Sequence, residues 1–553
     1  MITNLDGSIS TMKGNLMAPH QNSKTYVLIA FLAVMVLSQA IVIARNTPLG
    51  APPDELAHIS YVQDATKPDS FLPDYASGTI LNKSNLNYLT HPPLFYSLSG
   101  LIAKIFSLDA LEDFFAFRVF NAFLVTIGFV LILLGAMSAR ADSTSLVALS
   151  FSTLAVPMFG YLAGSINSDN LLYLGVSLFF FGVLRSQLNP DRFDWVSGSA
   201  MSAGLTITLL TKATGGAFLV FFCVLFSLSN WSTAKKLFWR PQRVGFLIFP
   251  FVVVSAYYLY SLSTYGQLFP RPGILREFSP PTDPQGILSV TAIFFIGMFE
   301  RLPMISSHLV VQPFSRFGLV AFYVMFFTPI AVWSIQKTIA RRSYTVDDLA
   351  KITNTIVLAL LATVLVHLYF VYDSYLQNGI FAGIQPRYYF YVLPVLWFLM
   401  LQTRERKLRF FGVSVFLFSA GVAFWSSSPT VLLKQAQAGM EQAIKNDKIA
   451  RGHIDRFEIR DHKAVINGWA LDQHLDRGAK RVLALFDGQH LGAAVPSRNR
   501  LDVARHFGNQ EAASSGFELV LSGLPESISR CDLDLYTESR DGVLRPIKDK
   551  SCP

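Results

Sequence analysis

Apolar runs of bilayer length recur along most of this chain and constrain its fold more than any other feature. The first extends from Tyr26 to Ala44, and further runs lie at roughly 118–137, 145–163, 170–184, 196–211, 214–229, 244–262, 317–336, 352–371, 387–402 and 410–426. A helix of about 20 residues crosses the hydrocarbon core of a membrane. We therefore expect an α-helical polytopic membrane protein with about eleven spans.

The composition supports this class and excludes a soluble enzyme or a disordered chain. Of the 553 residues, 52% are hydrophobic and only 15% are charged, whereas soluble proteins are about 25% charged. Two shorter apolar stretches, 93–106 and 287–300, are interrupted by polar residues, and we expect them to form interfacial or re-entrant helices.

Three basic clusters in the loops indicate how the spans are oriented. Cytoplasmic loops are enriched in Lys and Arg, so each cluster is expected inside. The clusters are Lys235, Lys236, Arg240 and Arg243, then Lys337, Arg341, Arg342 and Lys351, then Arg404, Arg406, Lys407 and Arg409. These loop cations account for the net charge of +9, which therefore does not indicate a nucleic-acid partner. We expect a cytoplasmic tail at 1–24 and a transmembrane domain at 25–433, with its first outer loop at 45–117.

The polar end of the chain predicts a separate domain outside the membrane. Residues 434–450 are typical of a linker, and residues 451–553 are expected to form an all-β, sandwich-like extracytoplasmic domain. Apolar and polar residues alternate in 464–470, and Asp487-Gly488 is a hairpin turn signal. Trp469 either stacks on a sugar or fills the core. In an oxidising compartment Cys531 and Cys552 are expected to form a disulfide, the alternative being two free thiols.

The first outer loop contains the sequence Pro52-Pro53-Asp54-Glu55-Leu56-Ala57-His58-Ile59-Ser60-Tyr61. Two prolines followed by Asp54 are typical of a helix start. Asp54 and His58 are then four positions apart on one helix face, where they could share a proton or a metal ion. The alternative is a capped interfacial helix with a solvated acid.

Further polar groups fall on the same predicted membrane face. His91 precedes Pro92 and either meets an anionic ligand or hydrogen-bonds at the helix start. Asn167 and Asp169 lie between two spans. Lys212 lies at the outer end of a span, where a lone lysine commonly extends to the lipid headgroups.

The last group is Gln385-Pro386-Arg387-Tyr388-Tyr389 at the start of a span. The guanidinium of Arg387 matches phosphate oxygens, while Tyr388 also suits an aromatic belt at the membrane surface. Arg271 in an outer loop is a further cation of this kind.

Taken in order, these motifs resemble a known family. They are Pro52-Pro53-Asp54-Glu55-x-x-His58-x-x-Tyr61, His91-Pro92-Pro93-Leu94-x-Tyr96, Asn167-x-Asp169, Thr211-Lys212 and Arg387-Tyr388-Tyr389. The series resembles the DUF2142 family of bacterial membrane proteins, which is similar to the GT-C fold glycosyltransferases, over about residues 25–426. In the family pattern a Gly precedes the Arg-Tyr pair, whereas this chain has Pro386.

The resemblance implies an inverting GT-C-type glycosyltransferase at the outer face of the bacterial inner membrane. Such an enzyme moves a sugar from a polyprenyl-phosphate donor to a cell-envelope glycan or lipid acceptor. By this resemblance Asp54 is catalytic, with Glu55 beside it. The donor phosphate is bound by Arg387, Lys212, Tyr388 and His91. The supporting residues are His58, Tyr61, Asn167, Asp169 and Arg271. The resemblance leaves open a divalent cation, Mg²⁺ or Mn²⁺, on Asp54 and Asp169.

Two other functions are consistent with a polytopic chain. A transporter or flippase for a lipid-linked glycan would place polar residues near the membrane midplane, whereas those of this sequence gather at one face. A non-catalytic scaffold for the outer domain needs far fewer spans than the sequence predicts.

Overall fold

The fold is given by a computed structural model. It describes residues 19–47, 52, 54–66, 91–110, 112–186, 194–229, 231, 235, 241–268, 281, 284–306, 310–311, 314–340, 348–378, 381, 383–402, 405–426, 452–460, 463–472, 477–479, 481–486, 489–507, 510–522, 524, 529–538 and 544–547.

Helices make up the first part of the chain. In chain order they are α1 Pro19–Asn46, α2 Glu55–Thr66, α3 Leu94–Phe106, α4 Phe114–Ser138, α5 Ser143–Leu154, α6 Pro157–Ala163, α7 Ser168–Ser186, α8 Trp195–Leu209, α9 Ala213–Ser229, α10 Pro241–Tyr265, α11 Ile287–Arg301, α12 Arg316–Ala340, α13 Asp348–Asn378, α14 Leu393–Leu401 and α15 Arg406–Ser426. A 3₁₀ turn, Pro386–Tyr389, precedes α14, and a two-residue strand pair, β1 Ile305–Ser306 and β2 Val310–Val311, precedes α12.

Six of these helices are long and apolar enough to cross a membrane, and a seventh span results if α5 and α6 count as one bent pair. The pair bends by 77° where Val156 is extended and Pro157 begins α6, because proline lacks an N–H and disfavours helical backbone in the residue before it. The chain is thus helical and polytopic, as expected.

Among the described residues, fewer helices meet these criteria of length and composition than the eleven spans expected from the sequence, because several apolar runs form shorter helices. The apolar runs at 196–211, 214–229 and 387–402 form α8, α9 and α14, which have 15, 17 and 9 residues. The run at 170–184 forms α7, which begins with the polar residues Ser168, Asp169 and Asn170. The stretches at 93–106 and 287–300 form α3 and α11, with 13 and 15 residues.

A continuous apolar core joins most of the membrane helices. It includes Phe179 of α7, Phe222 of α9 and Trp397 of α14, all buried. The helix pair α2 and α3 has its own cluster, in which the rings of Tyr61 and Tyr96 stack with their centroids 3.7 Å apart. A Cβ atom at Gly100 would lie 2.8 Å from the Ala65 carbonyl oxygen, so this close helix approach requires glycine. The cluster also takes in residues of α4 and α7 and so fixes where α2 begins.

The chain ends in small antiparallel sheets. The strands are β3 Gly452–Arg460, β4 Lys463–Asp472, β5 Arg477–Gly478, β6 Arg481–Phe486, β7 Gln489–Ala494, β8 Gly516–Ser522, β9 Leu533–Glu538 and β10 Leu544–Pro546, with a short helix α16 Leu501–Phe507 between β7 and β8. One sheet has the order β10-β9-β6-β7, and the other pairs β4 with β3, β5 and β8.

The two sheets contribute to one apolar core. Ile466 and Phe517 of one sheet belong to the same buried cluster as Val482 and Leu535 of the other. Trp469 packs against Phe507, with ring centroids 5.7 Å apart.

The three cysteines fall in different places. Cys531 is disulfide-bonded, and Cys552 lies outside the described residues. Cys223 in α9 is free.

Candidate active site

Four charged side chains from distant parts of the sequence form an alternating cluster. Arg387 Nη2 donates a hydrogen bond to Asp54 Oδ2, although these residues are 333 positions apart. Arg387 Nε lies 4.0 Å from Asp169 Oδ2, and Lys212 Nζ donates to Asp169 Oδ1 at 2.5 Å. The order of the cluster is therefore Asp54, Arg387, Asp169, Lys212. We call it the charged cluster.

Asp54 enters this cluster from a backbone conformation that most residues avoid. Its φ angle is 63°, in the left-handed region that asparagine and aspartate tolerate better than other side chains. Its carbonyl oxygen accepts a hydrogen bond from the His58 N–H at 3.0 Å, so α2 begins directly after it. Asp54 is the more exposed member of the Asp54–Arg387 pair, with 22% of its side chain accessible to solvent compared with 3% for Arg387.

Asp169 and Lys212 are held at two helix ends. The Asn167 side chain accepts from the Asp169 N–H at 2.9 Å, which caps the start of α7. Lys212 follows α8, and its N–H donates to the Thr208 carbonyl. Only 8% of Lys212 is exposed, which argues against the alternative in which it extends to the lipid headgroups. The Oδ2 atom of Asp169 has no hydrogen-bond partner among the described residues.

Tyr388 lies beneath both cations. Lys212 Nζ is 4.5 Å from the centre of its ring and Arg387 Cζ is 5.5 Å away, distances typical of cation–π contacts. The next residue, Tyr389, forms a 2.7 Å hydrogen bond between its hydroxyl and Nδ1 of His367 in α13. His367 was not predicted from the sequence, although an ionisable residue within an apolar run is itself a signal.

A His–Tyr–His group lies on α2, α3 and the residues before α3. The Tyr96 hydroxyl is 2.8 Å from His58 Nδ1 and 3.3 Å from His91 Nδ1. Burial, followed by the charge of Lys212, lowers the pKa of His91 to about 3. Burial also lowers the pKa of His58, with a further contribution from His91. Both imidazoles are therefore neutral at neutral pH, so His91 can hydrogen-bond a phosphate but brings no positive charge to it.

Glu55 points into the protein and forms an ion pair with Arg118 of α4. Arg118 Nε donates to Glu55 Oε1 at 2.8 Å and Nη2 donates to Oε2 at 2.6 Å, and both side chains have no exposed area. Sequence reasoning missed Arg118 because it stands at the edge of an apolar run. Asn121, also in α4, was missed as well. Its side-chain oxygen Oδ1 accepts a hydrogen bond from the Asn170 side chain at 2.9 Å.

The structure brings together Asp54, Asp169, Lys212, Arg387 and Tyr388, while His58, Tyr61 and His91 surround Tyr96 beside α2. Arg271 lies outside the described residues. Among those that the structure does describe, no three His, Cys, Asp or Glu side chains are close enough to hold a metal ion. Asp54 and Asp169 each face a cationic side chain.

Comparison with known proteins identifies a family and a distant fold likeness. The family model described as "Predicted membrane protein (DUF2142)" matches residues 58–399, which include Asp169, Lys212 and Arg387. The crystal structure of ArnT from Cupriavidus metallidurans bound to undecaprenyl phosphate is 14% identical, with 80% of this chain and 84% of that chain covered and a TM-score of 0.42. The apo state of ArnT from the same organism is 17% identical, with 76% and 80% covered and a TM-score of 0.37. No curated protein matches the chain.

Proposed function

We propose that this chain, which belongs to the DUF2142 family of membrane proteins, is a membrane glycosyltransferase. It transfers a sugar from a polyprenyl-phosphate donor to a cell-envelope glycan or lipid acceptor at the outer face of the bacterial inner membrane. The charged cluster carries this proposal. It joins a partly exposed carboxylate, Asp54, to two buried cations, Arg387 and Lys212.

The cluster contains the groups that an inverting sugar transfer needs. Asp54 acts as the general base that takes the proton of the acceptor hydroxyl. The acceptor oxygen forms a bond to the anomeric carbon of the sugar while the bond from that carbon to the phosphate oxygen breaks. The electron pair of the broken bond goes to the polyprenyl phosphate, whose charge Arg387 and Lys212 stabilise. No metal ion is required in this sequence of events, because the protein supplies both cations.

A purely structural role for the cluster explains its geometry less well. Burying charged groups is unfavourable even when they are paired, and apolar replacements of buried ion pairs are often equally stable or more so. Arg387 and Lys212 are nevertheless both held over the ring of Tyr388. Buried ionisable residues among membrane helices commonly mark functional sites.

The remaining assignments rest on the same proposal. His91 and His58 provide neutral hydrogen-bonding groups beside the phosphate site, and Tyr61 supports them through its stacked contact with Tyr96. The β-domain at the C-terminal end lies outside the membrane, where acceptor glycans are found. We place the N-terminal tail in the cytoplasm because of the three basic loop clusters.

The test is a transfer assay with the purified full-length protein in lipid nanodiscs. Polyprenyl phosphates carrying radiolabelled hexose or pentose are supplied with water or membrane glycolipids as acceptor, and release of polyprenyl phosphate is measured. We expect turnover by the wild type and a rate about 100- to 10,000-fold lower by Asp54→Asn. A matched control is Arg409→Ala, which removes an arginine paired with Asp142 at 3.1 Å elsewhere in the protein. Movement of the lipid across the bilayer without sugar release would instead indicate a flippase.

A further inference from the structure

The Glu55–Arg118 pair is the most completely buried ion pair in the helical part that the structure describes. Both side chains have no exposed area, and two parallel hydrogen bonds join them. Such bidentate pairs fix orientation as well as distance. Glu55 directly follows Asp54 in the sequence, but its carboxylate faces Arg118, so its role requires a separate explanation.

Arg118 also holds the end of α1. Its Nη1 atom donates to the Ala44 carbonyl at 2.8 Å and to the Thr47 carbonyl at 2.5 Å. Glu55 is the first residue of α2. A single guanidinium therefore anchors the chain on both sides of the segment that ends with Asp54.

This anchoring bears directly on the conformation of Asp54. Its φ of 63° is sparsely populated, and such conformations persist where the surrounding structure over-determines them. Arg118 binds Glu55, the residue immediately after Asp54. That contact restrains the chain directly after Asp54.

The same pair reaches the second carboxylate of the cluster. Glu55 Oε1 accepts a hydrogen bond from the Ile166 N–H at 3.1 Å, three positions before Asp169. Asn121, three positions after Arg118 on α4, accepts from the Asn167 N–H at 3.3 Å. The outer end of α4 thus holds both loops that carry acidic members of the charged cluster.

We infer that Glu55 and Arg118 are positioning residues for the transfer reaction, which set the placement of Asp54 and Asp169 relative to Arg387. This inference rests on the proposed function. It assigns Glu55 a role through its neighbours rather than contact with the sugar. Because a misplacement of about 1 Å in a catalytic group can reduce a rate by about 100-fold, small changes in the pair should be visible in turnover.

The test uses conservative variants, Glu55→Asp and Arg118→Lys, which retain charge but alter reach or geometry. We expect kcat per folded protein to fall about 10- to 100-fold, while KM for the donor changes less than about threefold. The matched control is Glu538→Asp, because Glu538 forms a similarly buried pair with Arg481 at 2.5 Å in the β-domain. It should lower thermal stability comparably and leave kcat unchanged.

A double variant separates positioning from general stability. If Glu55 acts through Asp54, then adding Glu55→Asp to Asp54→Asn should reduce the residual rate by less than about threefold, since coupled residues are not additive. A full 10- to 100-fold further loss, or an unchanged kcat in the single variants, would overturn the inference.

Hydrogen exchange provides a readout that does not depend on activity. Peptides covering residues 47–60 and 165–170 should exchange faster in Glu55→Asp than in the wild type, and Glu538→Asp should leave them unchanged. Unchanged exchange in Glu55→Asp would refute the positioning role even if the wild type shows no transfer. Faster exchange without any wild-type turnover would contradict the proposed function but not the positioning role.

Discussion

Replacing Asp54 with asparagine is the most informative single change in this protein. Asparagine has the same shape as aspartate and also tolerates the left-handed backbone that Asp54 adopts at φ 63°. Alanine at this position would add backbone strain of about 1 kcal/mol and so confuse the result. Asp54→Asn therefore removes charge and basicity while it preserves the start of α2.

The expected loss of rate is large and the expected loss of stability is small. Removing a general base reduces turnover about 100- to 10,000-fold, or about 3–5 kcal/mol of transition-state stabilisation. Arg387 loses one carboxylate partner but stays 4.0 Å from Asp169. Asp54 is also partly exposed to solvent. We therefore expect a stability loss of about 1–2 kcal/mol, less than that for breaking a fully buried pair.

Donor binding should not weaken in Asp54→Asn. In the free protein the carboxylate of Asp54 occupies Arg387, where a lipid phosphate would otherwise bind. Removing that anion leaves the affinity for undecaprenyl phosphate equal to the wild-type value or higher. A change that lowers turnover without weakening ground-state binding identifies an interaction used in the transition state.

The assay combines release of polyprenyl phosphate with a binding titration and a thermal melt on the same preparation. The expected result is turnover lowered about 100- to 10,000-fold, retained affinity for undecaprenyl phosphate and a melting temperature close to that of the wild type. Near-normal turnover by folded Asp54→Asn would refute the assignment of the base. The general base would then be Asp169, and the loop that contains Asp54 would have only a structural role.

Further predictions address the phosphate site, pH dependence, oxidation and topology. Arg387→Ala should weaken undecaprenyl phosphate binding and turnover together, because the phosphate loses a partner in both states, while Arg409→Ala changes neither. Wild-type stability should fall as the pH drops below about 6.5. The unfolded chain binds a proton on His91 in this range, whereas folded His91, with its pKa of about 3, does not. Thermal melts of His91→Asn should therefore show a smaller decrease of stability with falling pH. If Cys531 pairs with Cys552, thiol labelling of unfolded, unreduced protein should modify one of the three cysteines, whereas three labelled cysteines contradict the bond. A reporter that works only outside the cytoplasm, fused to the C-terminal end, should be active, because the three basic loop clusters place the start of the chain inside and a single apolar run follows the last cluster; activity of a cytoplasmic reporter there would contradict this topology.

The helical class was predictable because bilayer thickness sets a length that sequence displays directly. The lengths of the individual helices were not, because hydropathy does not show where a helix breaks. Val156 and Pro157 bend one apolar run by 77°, and Gln385 to Tyr389 form an irregular turn that leaves α14 only 9 residues long. Apolar runs that are packed among other helices look the same in sequence as runs that cross the membrane.

Part of the site was also readable, since charged and polar residues are rare near apolar runs and carry function there. Arg387 and Lys212 were found in this way. Asp54 and Asp169 were also found, but their ion pairs with these cations were not, because the Arg387–Asp54 contact links residues 333 positions apart and no local pattern predicts it. Adjacency to Asp54 in the sequence suggested a shared role for Glu55, whereas the start of α2 turns the Glu55 side chain inward toward Arg118, a direction that the sequence does not show.

The formal charges of the cluster explain how a site of this kind can exist before its substrate arrives. Two carboxylates and two cations cancel, so none of the four is buried without compensation, which would otherwise be costly. A phosphate that binds Arg387 must displace Asp54, the more exposed member of that pair. Displacement leaves Asp54 without its cation, which raises its affinity for a proton. Binding of the donor phosphate would therefore be the event that turns Asp54 from an ion-pair partner into a base, so the base is not activated until the leaving group is in place.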